Sequence, residues 1–230
     1  MSLRIIVSYD DTDNDRDALA LGDFLAQSGA TLSLAYVRHA QQADDEREAL
    51  EEREAEQLLA HGASLLSRPE VARHVIVHAS TADGLRELML RERADLVVFG
   101  SDYRTASGAV VPGTSAERLL HGGPTALAIA PADLRSQPAL SVEHIGVLDE
   151  GDGAANETAR SLARLLGATV VDSEDGEFDL LVVGSTEGVQ AGRVTLSASA
   201  EYEIQTATTP VLAVPRGTPV HFAAPAVAGV

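Results

Sequence analysis

Apolar residues arrive along this chain in two alternating rhythms. Short, nearly unbroken runs at Ile5–Tyr9, Thr31–Val37, His74–His78, Leu96–Phe99 and Thr125–Ala130 have the length of strands buried on both faces. The stretches between them space their apolar residues at helical intervals. Asp15–Gln27 sets Ala18, Leu21 and Leu25 on one face and meets a stop signal at Ser28-Gly29. Residues 44–66 predict a longer helix with acids crowded into its first half, and Ala82–Arg93 and Ser115–His121 complete the set. Such alternation over residues 1–131 predicts a doubly wound α/β domain on a parallel five-stranded sheet.

Prolines and polar residues in "PADLRSQPALS" mark 132–141 as a linker. Beyond it the chain repeats itself. "DLVVFGS" at 95–101 returns as "DLLVVGS" at 179–185, Ser115-Ala116-Glu117 returns as Ser199-Ala200-Glu201, and Pro131 as Pro215, all at an offset of 84. The earlier "GAT" at 29–31 returns at 167–169, an offset of 138, so the second copy is shorter by the difference of 54 residues. Residues 142–216 therefore read as a truncated copy lacking a helix, a strand and another helix, and 217–230 as an apolar tail. Each copy closes with an apolar strand, Thr125–Ala130 and Pro210–Val214. An exposed apolar edge strand must be paired or covered, so the two are expected to meet in an intramolecular pseudo-dimer, with a homodimer as a further option.

Charge and composition narrow the chemistry. The chain carries 17 basic and 35 acidic residues, a formal net charge of −18, and every basic residue is an arginine. That balance gives no footprint for nucleic acid or for an anionic membrane. Without lysine there is no P-loop lysine and no Schiff base, and without cysteine no disulfide, thiolate nucleophile or Cys-ligated metal. The start, "MSLRIIVSYDD", runs straight into a strand without the features of a signal peptide, and no apolar run is long enough to span a bilayer. The expectation is a cytoplasmic protein.

Candidate chemistry gathers where the fourth predicted strand ends. Gly100 and Ser101 follow an apolar run, a small polar loop leads to Gly113, and Thr114 and Ser115 open a helix. Backbone amides at such a helix start favour anionic oxygens, and ligands of open parallel sheets bind at the carboxyl ends of the strands. His74 and His78 share a strand face without a third ligand, so no metal site is expected. There is no Gly-x-Ser-x-Gly elbow, which leaves hydrolase readings without a nucleophile.

Across its first 131 residues the chain resembles the universal stress protein family. Three stretches carry the likeness: "DDTDNDRDAL" at 10–19, against the family's Asp-Gly-Ser-x-x-Ser followed by Ala-Leu; the spacing Gly100-x2-Tyr103-x9-Gly113-Thr114, against Gly-x2-Gly-x9-Gly-Ser/Thr; and the closing "GGPTALAIAP" at 122–131. The resemblance implies a Rossmann-like fold of the adenine nucleotide α-hydrolase type and, from ATP-binding members, a pocket for ATP or AMP, with Mg2+ if ATP. Asp10 would contact the nucleoside, Val37 would border the adenine, and Gly100, Ser101, Gly113, Thr114 and Ser115 would hold phosphates.

Departures from the family pattern add charge and bulk at this place. Asp11 stands for a glycine, Asp15 for a serine and Tyr103 for the second glycine, with Asp102 beside it. A unit charge about 6 Å from a nucleotide costs on the order of 1–3 kcal/mol in a partly wet site, so these acids are expected to weaken ATP. In the second copy Ser197 and Ala198 replace Gly113 and Thr114, and no nucleotide is expected there. The favoured reading is a stress-associated regulatory protein with a nucleotide pocket in its first half. A module acting through its pseudo-dimeric surface is the alternative, and a slow ATPase, without a base or metal set beyond Asp10 and Asp11, comes third.

Overall fold

In the computed structural model, β1 (Arg4–Ser8) lies between β2 (Thr31–Arg38) and β4 (Leu96–Gly100), parallel to both. The structure describes residues 2–27, 29–39, 45–137, 140–174 and 176–223. Outside β2 runs β3 (Ala72–Val77), and beyond β4 runs β5 (Ala126–Ala130), again parallel, which completes the five strands expected of the first half. These strands are Val-, Ile-, Leu- and Ala-rich because helices cover both faces.

α1 (Asp13–Ala26) starts two residues before its predicted beginning because Thr12 and Asp15 form a reciprocal capping box. α2 (Asp45–Ser64), α3 (Thr81–Glu92) and α4 (Thr114–Leu120) follow within a few residues of expectation. Asp44, the predicted start of α2, and Ser28 lie outside the described residues. β3 begins at Ala72 rather than His74, since Ala72 and Arg73, both exposed, pair with β2 along the backbone ladder. His78 lies past the strand and accepts the Ser80 N–H on its ring Nδ1.

The second half contributes β6 (His144–Leu148), α5 (Ala154–Leu166), β7 (Thr169–Asp172), β8 (Leu180–Val183), α6 (Ala198–Thr206) and β9 (Val211–Ala213). Among the described residues between β7 and β8 there is no counterpart of α2, β3 and α3. Among the described residues the strand order is β3-β2-β1-β4-β5-β9-β8-β6-β7, one nine-stranded sheet. Read outward from its middle, β9, β8, β6 and β7 mirror β5, β4, β1 and β2. All neighbours are parallel except β5 and β9, which pair antiparallel with Ala128 opposite Leu212. The closing strands thus meet within one chain, and the edge of β5 is occupied.

Two cores sandwich this sheet, and each crosses the junction between halves. One joins the inner faces of α1, α2 and α5 to Ile5, Val7, Leu34 and Val182; the other packs α3, α4 and α6 against Ile6, Val97, Leu127 and Leu181. The predicted linker is folded onto the body. Pro131, Ala132 and Leu134 are buried, a 3-10 turn spans Leu134–Ser136, and buried Asp17 of α1 accepts the Asp133 and Arg135 N–H groups and an Arg135 guanidinium bond of 2.9 Å. Pro138 and Ala139 lie outside the described residues. The tail docks on α5: Val220 and Phe222 are buried, with their N–H groups on Thr158 and Ser161 hydroxyls, while 224–230 lie outside the described residues.

Candidate functional site

The chain crosses from one side of the sheet to the other around β1, so the crevice between the ends of β1 and β4 is the switch point of the strand order. Asp10 stands there, just beyond β1. Its N–H donates to the Asp15 carboxylate at 3.0 Å, and its own carboxylate makes no hydrogen bond among the described residues. Partial desolvation, and next the charge of Asp15, push the Asp10 pKa above the ordinary range although the side chain opens to solvent.

The neighbouring acids are engaged elsewhere. Asp11 has a left-handed backbone, φ 57°, at the position where family members carry glycine. Its carboxylate accepts the Tyr9 hydroxyl at 2.7 Å, lies 3.4 Å from Arg16 and is 3.9 Å from His61. The Tyr9 bond leads the effects that hold the Asp11 pKa below the usual range, while burial pushes that of Tyr9 well above its own. The Tyr9 ring in turn lies flat against Gly62 of α2, where a Cβ would sit 2.6 Å from the ring. Asp15 accepts the Asp10 and Thr12 N–H groups and the Thr12 hydroxyl. Asp102 accepts the Arg104 N–H. Tyr103 is 68% exposed, with the Arg104 guanidinium 4.8 Å over its ring.

Among the predicted phosphate residues, geometry separates structural from open positions. A side chain at Gly100 would run into the carbonyl of Asn14, because α1 lies with its backbone against the end of β4. Asn14, buried, donates its amide to the Ser101 and Asp102 carbonyls at 3.0 and 2.6 Å. The Ser101 hydroxyl is also committed: it donates to the Ala130 carbonyl at 2.7 Å and accepts the Val111 N–H at 3.2 Å. In the second half Ser185 repeats both bonds, to Val214 and from Thr195, at 2.7 and 3.2 Å. The Val37 side chain is buried against α3 beside Gly84, which leaves only its backbone at the end of β2.

Gly113, Thr114 and Ser115 are different. Pro112 pairs with Ser101 in an isolated bridge, which sets Gly113 beside the end of β4. Apart from its chain neighbours, no atom of the described residues lies within 4 Å of where a Gly113 Cβ would be. Gly113 is the N-cap of α4 and gives it no side-chain cap, and no hydrogen bond engages the Thr114 or Ser115 hydroxyl among the described residues. At the matching position of the second half, Ser197 caps α6 by accepting the Ala200 N–H and donates to Glu150 Oε1 at 2.5 Å. The registers of β1 on β4 and β6 on β8 make Glu150 the counterpart of Asp10.

A family model described as the universal stress protein family matches residues 1–131. The chain belongs to the universal stress protein family. Among solved structures, a universal stress protein from Archaeoglobus fulgidus DSM 4304 is similar over 93% of this chain and 98% of its own, with TM-score 0.62 and 15% identity. A functionally unknown protein from Pseudomonas aeruginosa PAO1 is similar over 93% of this chain and 92% of its own, with TM-score 0.58 and 14% identity. Both likenesses are of fold. A universal stress protein in complex with cAMP overlaps 41% of this chain and 73% of its own at TM-score 0.33 and 19% identity, too slight a likeness to bear on it. No curated protein matches.

Within this universal stress protein, the residue that sequence reasoning missed is Asn14. It ties the first turn of α1 to the loop after β4 and so fixes the floor of the crevice. Its one visible signal was position: an amide at the second residue of a helix whose cap was already supplied by Thr12. No helix among the described residues is long and apolar enough to cross a membrane, and no cluster of three or more metal-ligating side chains occurs among them.

Proposed function

We propose that the first half of this protein binds one adenine nucleotide, ATP or AMP, and that the second half binds none. The Asp10 carboxylate would accept the ribose hydroxyls. The N–H groups that open α4, with the Thr114 and Ser115 hydroxyls, would donate to phosphate oxygens, and Gly113 would let the phosphates approach the backbone. Gly100, Ser101 and Asn14 hold the loop in place for this. Mg2+ would arrive with the triphosphate as its counter-ion.

The observation that carries the reading is the contrast between Gly113 and Ser197. The same helix start is uncapped and open in one half, and in the other it is capped and bonded to a resident carboxylate. The charges expected to repel a nucleotide also weigh less than their number suggests, since Asp11 is paired with Arg16 and Tyr9. As a member of this family the protein is read as stress-associated, with the nucleotide as its regulatory ligand.

Calorimetric titration tests this. The wild type is expected to bind ATP or AMP, and Gly113→Val to abolish binding while circular dichroism and melting temperature stay close to wild type. A wild type that takes up no ATP, ADP or AMP at millimolar concentration rejects the proposal.

A further inference from the structure

On the face of the sheet that carries α3, α4 and α6, a groove of about 360 Å3 opens between α4 and α6. It straddles the junction of the two halves, and its lining comes in pairs related by the offset of 84 residues. Pro112 and Leu196 form one pair, and Leu120 and Ile204 another. Together they make an apolar floor. Glu117 and Glu201 form the third pair.

Those two carboxylates dominate the electrostatics of the groove. Glu117 is exposed and makes no ion pair among the described residues, while Glu201 is half-exposed and lies 3.6 Å from His121 Nε2. Among the described residues no arginine lines the groove, and Arg118, the arginine of α4, reaches instead toward the Ser80 hydroxyl. An apolar cavity of this size is at the lower end of what small-ligand sites use. The chain's net charge of −18 adds long-range attraction for a cation and repels an anion.

We infer that the groove between α4 and α6 is a binding site for a hydrophobic cation, an alkyl- or arylammonium, distinct from the nucleotide crevice. Its hydrocarbon would cover Leu120, Leu196 and Ile204, and its ammonium would lie at Glu117 or Glu201. The paired lining lets the ligand enter in either direction.

The test is methyl NMR on the full chain with octylammonium, octanoate and ethylammonium as probes. Octylammonium is expected to shift the Leu120, Leu196 and Ile204 methyls saturably, and the other two probes to leave them in place. Glu117→Gln and Glu201→Gln should each weaken binding about two- to fivefold, the range of an exposed ion pair. Gln205→Trp, at an exposed position of the rim, should fill the groove and remove binding without lowering the melting temperature. Octanoate binding with equal affinity overturns the inference, as do octylammonium shifts that avoid these methyls. Methyl shifts that grow with protein concentration alone would assign the groove to self-association and overturn it too.

Discussion

Ser197 Oγ lies 2.5 Å from Glu150 Oε1, joining the start of α6 to the end of β6. The two positions match Gly113 and Asp10 of the first half, where the glycine offers no side chain and the Asp10 carboxylate is unpaired among the described residues. In the second half the protein therefore supplies its own carboxylate to the place where the first half would receive an anionic ligand. Loss of α2, β3 and α3 from that half removes the strand and helices that flank the crevice in the first.

Gly100 and Gly113 should respond oppositely to the same substitution. Gly100→Ala pushes a methyl into the Asn14 carbonyl and is expected to cost about 1–3 kcal/mol or more as an overpacked backbone contact. Gly113→Ala meets open space at a φ of −71° and should leave stability within about 0.5 kcal/mol. Denaturant unfolding of the two variants measures both. Equal losses would contradict the separate roles assigned to them.

Tyr103 is exposed and carries Arg104 over its ring, so restoring the family's glycine there should do little for a nucleotide. Tyr103→Gly is expected to change ATP affinity by less than about threefold, since its ring is exposed and stacked under Arg104. A tenfold gain by calorimetry would show that the ring does obstruct the site.

Asp149 accepts N–H groups from Gly151, Gly153 and Asn156 and an amide bond from Asn156. Burial pulls its pKa upward, but those bonds outweigh it and hold the value below the ordinary aspartate range. A carboxylate whose folded pKa is depressed gives its full stability above the unfolded pKa and loses it as pH falls through the folded one. Asp149→Asn is thus expected to destabilise by about 1 kcal/mol at pH 7. The gap to wild type should shrink below about pH 4. Urea melts across pH 3–7 check this, and a pH-independent gap would contradict it.

The isolated second half should not fold. Residues 141–230 would expose the β9 edge that β5 now covers and would split both apolar cores, which continue across the junction. The expected outcome is an unfolded or aggregated fragment. A dispersed NMR spectrum from a monomeric fragment would contradict the shared-core account.

Much of this fold was legible because its strands are buried on both faces and so read as continuous apolar runs. The repeat was legible for a chemical reason: Ser101 and Ser185 make the same pair of backbone bonds, so the glycine-serine strand ends keep their sequence. The start of β3 was hidden because Ala72 and Arg73 join the sheet through their backbone alone. Within the site, spacing picked out Gly100 but not its reason, which is the approach of Asn14 from a distant helix. Spacing also counted Asp11 and Tyr103 as obstacles. Where their side chains point depends on Tyr9, Arg16 and Arg104, partners that only the folded chain brings together.

Counting nucleotides per chain tests the central claim most directly. Equilibrium dialysis of the full protein against labelled ATP and, separately, labelled AMP should saturate at one nucleotide per chain for at least one of them, and Gly113→Val should bring that to zero while Ser197→Ala leaves it at one. Saturation at two, or no uptake by the wild type, would contradict an open seat in the first half and a self-filled one in the second.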